Sequence, residues 1–184
     1  MRALDGGRWG LARARLVARE TEADLRAVKT LVTAMFGDNA EIRKRSADVA
    51  RRIVERDASP LELYADELAG LLAETSIEES RTRWHLGLVV AKVAHTREQR
   101  LRAARLMELL MDDESNVARC SAVEGIGLLA IEEPSLRGIA EEMIERALRE
   151  GTLAMKCRAR HAKRRLEKAQ RFGTDGSACA PDLK

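Results

Sequence analysis

The segment RTRWHLGLVV, residues 81 to 90, groups several reactive or recognition side chains ahead of an apolar run. The imidazole of His85 could act as a general base or bind a metal, and the indole of Trp84 could stack on a ligand. The guanidinium groups of Arg81 and Arg83 could bind an anion. The segment therefore raises the question of whether it forms a site or one part of a helical scaffold.

The three histidines show no pattern that indicates catalysis or metal binding. A catalytic histidine needs a second positioned group, and the sequence supplies no obvious one beside His85. His95 and His161 are distant in sequence from any cluster of potential catalytic or metal-binding residues. No H-E-x-x-H or comparable spacing exists. We therefore predict no catalytic residues, no cofactor and no metal site.

The composition indicates one helical domain. The chain has 184 residues, of which 45% are hydrophobic, 3% aromatic and 34% charged, a balance typical of helical proteins rich in Ala, Leu, Glu and Arg. No apolar run approaches the length of a membrane span, and the first 20 residues lack the apolar core of a signal peptide. We predict an all-α protein in the cytoplasm, without membrane attachment.

The three cysteines, Cys120, Cys157 and Cys179, are odd in number and contain no C-x-x-C pair. This pattern indicates neither a disulfide framework nor a zinc site. We predict that all three are reduced thiols.

Turns and helix starts recur along the chain in two interleaved series. One series has spacings of 38, 37 and 38 residues: Asp38, Ser76, Asp113 and Gly151. The other has spacings of 38, 37 and 37 residues: Thr21, Ser59, Thr96 and Glu133. Two series with one period predict a repeated helix pair of about 37 residues. The predicted units are 21–57, 59–95, 96–132 and 133–170.

Local capping signals support these bounds. In a capping box, a Ser or Thr oxygen accepts a hydrogen bond from a free backbone N–H, and an acidic or amide side chain three residues later reaches back. The pattern occurs three times, as Ser59 with Glu62, Ser76 with Glu79, and Thr96 with Gln99. We further predict an N-terminal capping helix at about 8–19, a single domain from 1 to 170, and a disordered tail from 171 to 184.

The segments DNAEIRKRSA (38–47) and DESNVARCSA (113–122) resemble the second-helix opening of HEAT repeats. This resemblance implies a right-handed α-α superhelix, an α-solenoid of about four helix pairs. It also implies that Asp38 with Lys44, and Asp113 with Arg119, take part in hydrogen-bonded ladders between successive repeats. Some HEAT-like enzymes use His-Glu pairs to bind iron, but none of the three histidines here is followed by a glutamate.

The repeat register predicts structural roles for Trp84 and His85. Trp84 aligns with Ser46 and Ser121 on an inward stripe, and Gly87 would leave room for its indole. His85 aligns with the edge of that stripe, where a hydrogen-bonded boundary residue is expected. The alternative is a partly exposed Trp84 ring that stacks on a partner.

Several basic residues are candidates for binding a partner. Arg43 shares a register with Arg81, and Arg45 shares one with Arg83. In HEAT-like proteins the second helices line the concave surface, so these arginines could line a binding groove. The alternative is a solvated face with intrahelical ion pairs, which contribute little to stability. The complete set of candidates is Arg43, Arg45, Arg81, Arg83, Arg119, Lys156 and Arg160.

The strongest local charge lies in residues 156 to 171, which hold eight Lys or Arg against one Glu. The local net charge is +7, so the rest of the chain carries −4 against a total of +3. A terminal repeat needs a polar outer face for solubility, and this alone could explain the charge. Binding to an acidic protein or to nucleic acid is the alternative.

These patterns favour a non-catalytic scaffold that binds a protein or peptide on its concave face. The second hypothesis is a nucleic-acid-binding protein that uses the basic groove and the basic C-terminal helix. An enzyme ranks third, because no motif in the sequence indicates one.

Overall fold

The computed structural model of the chain describes residues 4, 7 and 9 to 175, with side chains described as far as residue 171. This part of the chain is helical and contains no strand, so the predicted all-α class is confirmed. The ten α-helices are α1 Leu11–Glu22, α2 Leu25–Met35, α3 Ala40–Arg56, α4 Ser59–Glu62, α5 Ala65–Glu74, α6 Ser80–Val93, α7 Arg97–Met111, α8 Asn116–Glu132, α9 Arg137–Glu150 and α10 Leu153–Asp175. A short 3-10 helix, Pro134–Leu136, precedes α9.

The longest helix of each predicted unit begins at residue 40, 80, 116 or 153, but Thr21, a predicted helix start, lies inside α1, and α2 begins at Leu25. Each unit holds one long second helix, in the order α3, α6, α8 and α10, which packs on the first helix of its own pair. The N-terminal helix α1 begins three residues later than predicted and packs on α3 as well as on α2. Helix α10 continues to Asp175, past the predicted domain end at 170, and the rest of the predicted tail lies outside the described residues.

The second helices pack side by side. Helix α6 lies between α3 and α8, and α8 lies between α6 and α10. We call this arrangement, extended by α1 beyond α3, the second-helix row. A single cluster of buried apolar side chains runs from Val17 in α1 to Leu166 in α10. None of the described helices is long and apolar enough to cross a membrane.

Glycines allow the second helices to approach closely. A Cβ atom on Gly87 would lie 2.6 Å from Oγ of Ser121 and 2.9 Å from Cδ1 of Leu110. A Cβ on Gly127 would lie 2.9 Å from Cβ of Ala162 in α10. The prediction that Gly87 makes room for the Trp84 indole is therefore wrong, because its empty space is filled by α7 and α8.

One of the three predicted capping boxes is present. Thr96 accepts a hydrogen bond from the backbone N–H of Gln99, whose side chain accepts one from the backbone N–H of Thr96. The other two predictions are wrong. Ser59 is already the first residue of α4 and donates to the carboxylate of Asp57, while Ser76 lies in a turn four residues before α6 begins. At the first place Asp57 accepts a hydrogen bond from the backbone N–H of Ser59, and at the second the hydroxyl of Ser76 accepts one from the backbone N–H of Glu78 at 3.3 Å.

Candidate binding groove on the second helices

Two of the candidate arginines join neighbouring second helices to the turns beside them. Arg83 Nε of α6 donates to Oδ2 of Asp113 at 2.7 Å, and its Nη1 donates to the carbonyl of Thr75 at 2.7 Å. Arg43 Nε of α3 donates to Oε2 of Glu79 at 3.2 Å. The side chain of Asp113 is completely buried, whereas that of Arg83 is 12% exposed. These contacts join successive helix pairs, and they pair the charge of each arginine with a carboxylate.

The contacts of Asp113, Arg119 and Lys44 differ from the ladder that the HEAT resemblance implied. Asp113 pairs with Arg83 of the preceding helix pair, and Arg119 Nη2 instead donates to Oδ1 of Asn116. Lys44 forms an ion pair with Glu41 inside its own helix. The expectation for Asp113 with Arg119 and for Lys44 is therefore wrong in its choice of partners.

Arg45 is also engaged within the protein. Its Nε donates to Oε1 of Glu41 at 2.8 Å, and its Nη1 donates to the carbonyl of Leu4 at 2.8 Å. The guanidinium carbon of Arg45 lies 5.5 Å from the centroid of the Trp9 ring. Trp9 in turn donates from Nε1 to Oδ2 of Asp48 at 3.2 Å. Arg45 thus fastens the N-terminal segment to α3.

The other four candidates lie on α6, α8 and α10. Arg81 is exposed at the start of α6, and Arg119 is half-buried at the start of α8. Lys156 is half-buried and Arg160 is exposed, both on α10. A binding role for these four residues stays a prediction.

Trp84 is half-buried rather than part of the core, so its predicted inward position is wrong. Its ring stacks on the ring of His85, with centroids 4.4 Å apart and an interplanar angle of 28°. The guanidinium carbon of Arg51 lies 5.5 Å from the Trp84 ring centroid. Ser46 and Ser121, which share its register, are both buried. Small side chains fit where the second helices approach, whereas an indole is displaced toward the surface.

His85 is buried, although a boundary position was predicted. Its Nδ1 accepts a hydrogen bond from Nε of Arg51 at 3.1 Å, and its Nε2 lies 4.0 Å from Oδ1 of Asp48. Burial lowers the pKa of His85 to about 4; Asp48 opposes this shift, while Arg51, Arg52 and Arg81 add to it. The ring is therefore neutral at neutral pH, which suits an Nδ1 that accepts a bond.

A cavity of about 190 Å³ lies beside Trp84 on the second-helix row. Its apolar lining comes from Val54, Leu88 and Leu128, in addition to the indole. Its charged lining comes from α3, α6, α8 and α10: Arg51, Glu55, Lys92, Glu124, Arg158 and Arg165. A second cavity of about 340 Å³ lies at the carboxyl ends of α3, α6 and α8 and shares Val54, Lys92 and Leu128 with the first. We call the two adjoining cavities the second-helix groove.

The cations of the groove are held by neighbouring groups. Glu124 of α8 accepts from Arg158 Nη1 at 2.9 Å and from Arg165 Nη2 at 3.3 Å. Lys92 Nζ donates to the carbonyl of Val54 at 3.1 Å and so bridges α6 to the end of α3. With Arg51, the smaller cavity has four cations against two carboxylates, which leaves an excess of positive charge. The groove can therefore receive an anionic group beside an apolar surface.

Sequence reasoning missed the basic residues that line this groove. Trp84, Leu88 and Lys92 follow one another at intervals of four residues, so they lie on one stripe of α6. Extending the stripe from Trp84 would have identified Lys92. The contribution of Arg158 and Arg165 depends on the packing of α10 against α8, which the sequence does not show.

No group of three or more His, Cys, Asp or Glu side chains within the described residues could hold a metal ion. Comparison of the chain with protein-family models, with curated proteins and with solved structures finds no match. Any functional interpretation therefore depends on the geometry of the chain itself.

Proposed function

We propose that the protein is a non-catalytic scaffold, an α-solenoid of four HEAT-like helix pairs, whose second-helix groove binds an acidic segment of a protein partner. The observation that carries the proposal is the groove itself. It combines an apolar floor with converging cations, and its lining comes from four neighbouring second helices.

The solenoid interpretation is supported by contacts that repeat along the chain. Four ion pairs join residues of successive units that lie 34 to 36 positions apart: Arg43 with Glu79, Arg102 with Asp66, Arg146 with Asp112 and Arg158 with Glu124. This separation is close to the repeat period of about 37 residues. Each unit therefore interacts mainly with its neighbours, as in a stacked repeat protein.

The size and charge of the groove favour a segment of a larger partner. The cavity beside Trp84, at about 190 Å³, is smaller than the roughly 300–1,000 Å³ of typical small-molecule pockets, and the second cavity, at about 340 Å³, lies near the lower end of that range. Its continuity with the second cavity provides room for an extended chain whose side chains enter both. The excess of cations in the smaller cavity favours a carboxylate at that place, and the floor of Val54, Leu88 and Leu128 favours an apolar side chain beside it.

The surroundings of Trp84 favour a protein segment over a stacked nucleobase. The indole already stacks on His85, and the guanidinium of Arg51 lies over its ring. Base recognition by aromatic residues requires an available ring face. Trp84 instead presents the remaining part of its surface to the cavity, where an apolar side chain can pack.

The experiment compares three fluorescein-labelled peptides of equal length by fluorescence anisotropy: one alternating Glu with Leu, one alternating Lys with Leu, and one alternating Glu with Ser. We expect the Glu-Leu peptide to bind more tightly than the other two, because it alone matches both the charge and the apolar floor. The double variant R158Q/R165Q should weaken this binding by about tenfold or more, which corresponds to roughly 1.4 kcal/mol.

The matched control is R26Q/R105Q, which removes two exposed cations from the first helices α2 and α7. It should leave the affinity unchanged. Equal binding of all three peptides, or equal losses in the two double variants, would remove the groove as the docking site. Charge reversal at Arg83 is a poor test, because this residue is the partner of the buried Asp113.

A further inference from the structure

The cationic side chains of helix α10 fall into two groups, one directed toward the neighbouring helices and one directed away from them. Between residues 156 and 171 the helix carries eight Lys or Arg and a single acidic residue, Glu167. Arg158 and Arg165 pair with Glu124 of α8, and Lys163 pairs with Glu145 of α9. These three cations face the rest of the protein and hold α10 in place.

The other five cations form one stripe along the helix: Lys156, Arg160, Arg164, Lys168 and Arg171. Their spacing of four, four, four and three residues places them on one face, with neighbours separated by about 6 Å along the helix axis. Met155, Ala159, Ala162 and Leu166 are buried on the opposite face. We call the five-residue stripe the outer face of α10.

Ion pairs do not neutralise the outer face at its centre. Arg160 is exposed and makes no ion pair within the described part of the chain. Arg164 is exposed and donates from Nη2 to Nδ1 of His161 at 3.2 Å rather than to a carboxylate. Two adjacent guanidinium groups are thus directed to solvent without a carboxylate partner.

The chemistry of this face is unlike that of a protein interface. The centre of a protein interface is apolar and depleted in charge, whereas the residues around the stripe are Cys157, His161 and Glu167. A membrane surface would need apolar anchors beside the cations, and the stripe contains none. It also contains no aromatic ring on which an unpaired base could stack.

We propose that the outer face of α10 binds the phosphate backbone of duplex nucleic acid, without sequence preference. A duplex presents about one negative charge per 1.7 Å of its axis, so a stripe of evenly spaced cations can approach several phosphates at once. Residues 156 to 171 carry a net charge of +7 while the rest of the chain carries −4, and this asymmetry directs the α10 end of the protein toward a polyanion. The inference does not depend on the second-helix groove.

Binding of a fluorescein-labelled 20-base-pair DNA duplex of mixed sequence, measured by anisotropy, tests this proposal. Contacts to four or five phosphates predict that the affinity falls by roughly 150- to 500-fold between 50 and 200 mM salt. The double variant R160Q/R164Q should reduce the slope of log affinity against log salt by about two, because each phosphate contact accounts for about one unit. A second duplex of unrelated sequence should bind equally well.

The matched control R26Q/R105Q removes the same net charge from α2 and α7 and should bind DNA as the wild type does. The groove variant Trp84→Ala should also retain DNA binding, which separates this surface from the groove. Circular dichroism establishes that each variant is folded. The proposal is overturned if no binding occurs at 50 mM salt, if R26Q/R105Q loses as much affinity as R160Q/R164Q, or if poly-glutamate competes as well as DNA of equal total charge.

Discussion

Helices α6 and α10 are both second helices of their pairs, yet they differ in how much of their surface is covered. In α6, Thr82, Val93 and every residue from His85 to Ala91 are buried, because α3, α5 and α8 surround the helix. In α10, the buried residues are Met155, Ala159, Ala162 and Leu166, which face α8 and α9. Both helices occupy the same position in their pairs. The number of neighbouring helices therefore determines which charged side chains are buried away from solvent.

This difference in burial distinguishes charged side chains that are paired within the fold from those that are exposed and can contact a partner. Arg83, His85 and Lys92 of α6 are held by contacts within the protein, as Arg83 is by Asp113, whereas Arg81 at the start of the helix is exposed. On α10, Arg160 remains exposed. The same residue type therefore stabilises the fold in one helix and can recruit a ligand in the other.

The largest effect that we expect distinguishes two neighbouring aspartates. Asp113 is completely buried and pairs with Arg83, whereas Asp112 is 67% exposed and pairs with Arg146 at 2.6 Å. Asp113→Ala should lower the free energy of unfolding by roughly 3 kcal/mol, because it leaves the charge of Arg83 without its buried partner. Asp112→Ala should have a much smaller effect, since exposed ion pairs contribute about 0–1 kcal/mol.

Urea denaturation of both variants, followed by circular dichroism, measures the difference. Asp113 also accepts a hydrogen bond from the backbone N–H of Ser115 at 2.7 Å, so Asp113→Asn serves as an intermediate case. Equal effects of Asp113→Ala and Asp112→Ala would show that burial does not separate the two kinds of pair.

The next effect concerns histidines in the same two helices. His85 of α6 has a pKa of about 4 because it is buried, below the usual value of 6.5, while His161 of α10 is exposed. The unfolded chain binds a proton at His85 between pH 6.5 and 4, whereas the folded protein does not. Stability from this residue is therefore present above pH 6.5 and is lost as the pH falls toward 4, by up to about 3 kcal/mol.

The variant His85→Gln should remove this loss, so its free energy of unfolding should fall less than that of the wild type between pH 6.5 and 4. His161→Gln should follow the wild-type curve. Denaturation at a series of pH values provides the comparison, and parallel curves for His85→Gln and the wild type would contradict the assigned pKa.

The helical class, and the start of α7 after Thr96, could be predicted because they depend on local signals. Thr96 and Gln99 mark a helix start through hydrogen bonds between residues three positions apart, which can be recognised in the sequence. Partner choice could not be predicted in the same way. Arg43 and Arg83 pair with residues 36 and 30 positions away, so their partners depend on the offset between packed helices.

The position of Trp84 was missed for a steric reason. Alignment with Ser46 and Ser121 indicated an inward direction, and both serines are indeed buried. Register reports the direction of a side chain but not the space between helices, which is small here because Gly87 approaches Ser121. The lining of the second-helix groove depends on this displaced indole, which explains why sequence reasoning placed the binding residues elsewhere.

The smallest effects concern two glycines that differ in their surroundings. Gly87 in α6 faces Ser121 and Leu110, whereas Gly70 in α5 is exposed and an added Cβ there would meet no atom within 4 Å. Gly87→Ala should lower the free energy of unfolding by about 1–3 kcal/mol, because the new methyl group forces α6 away from α7 and α8. Gly70→Ala should raise it by about 0.5–1 kcal/mol, since alanine favours the helix and nothing opposes it. Thermal and urea denaturation measure both changes, and a stabilising Gly87→Ala would show that the second-helix row packs less closely than described.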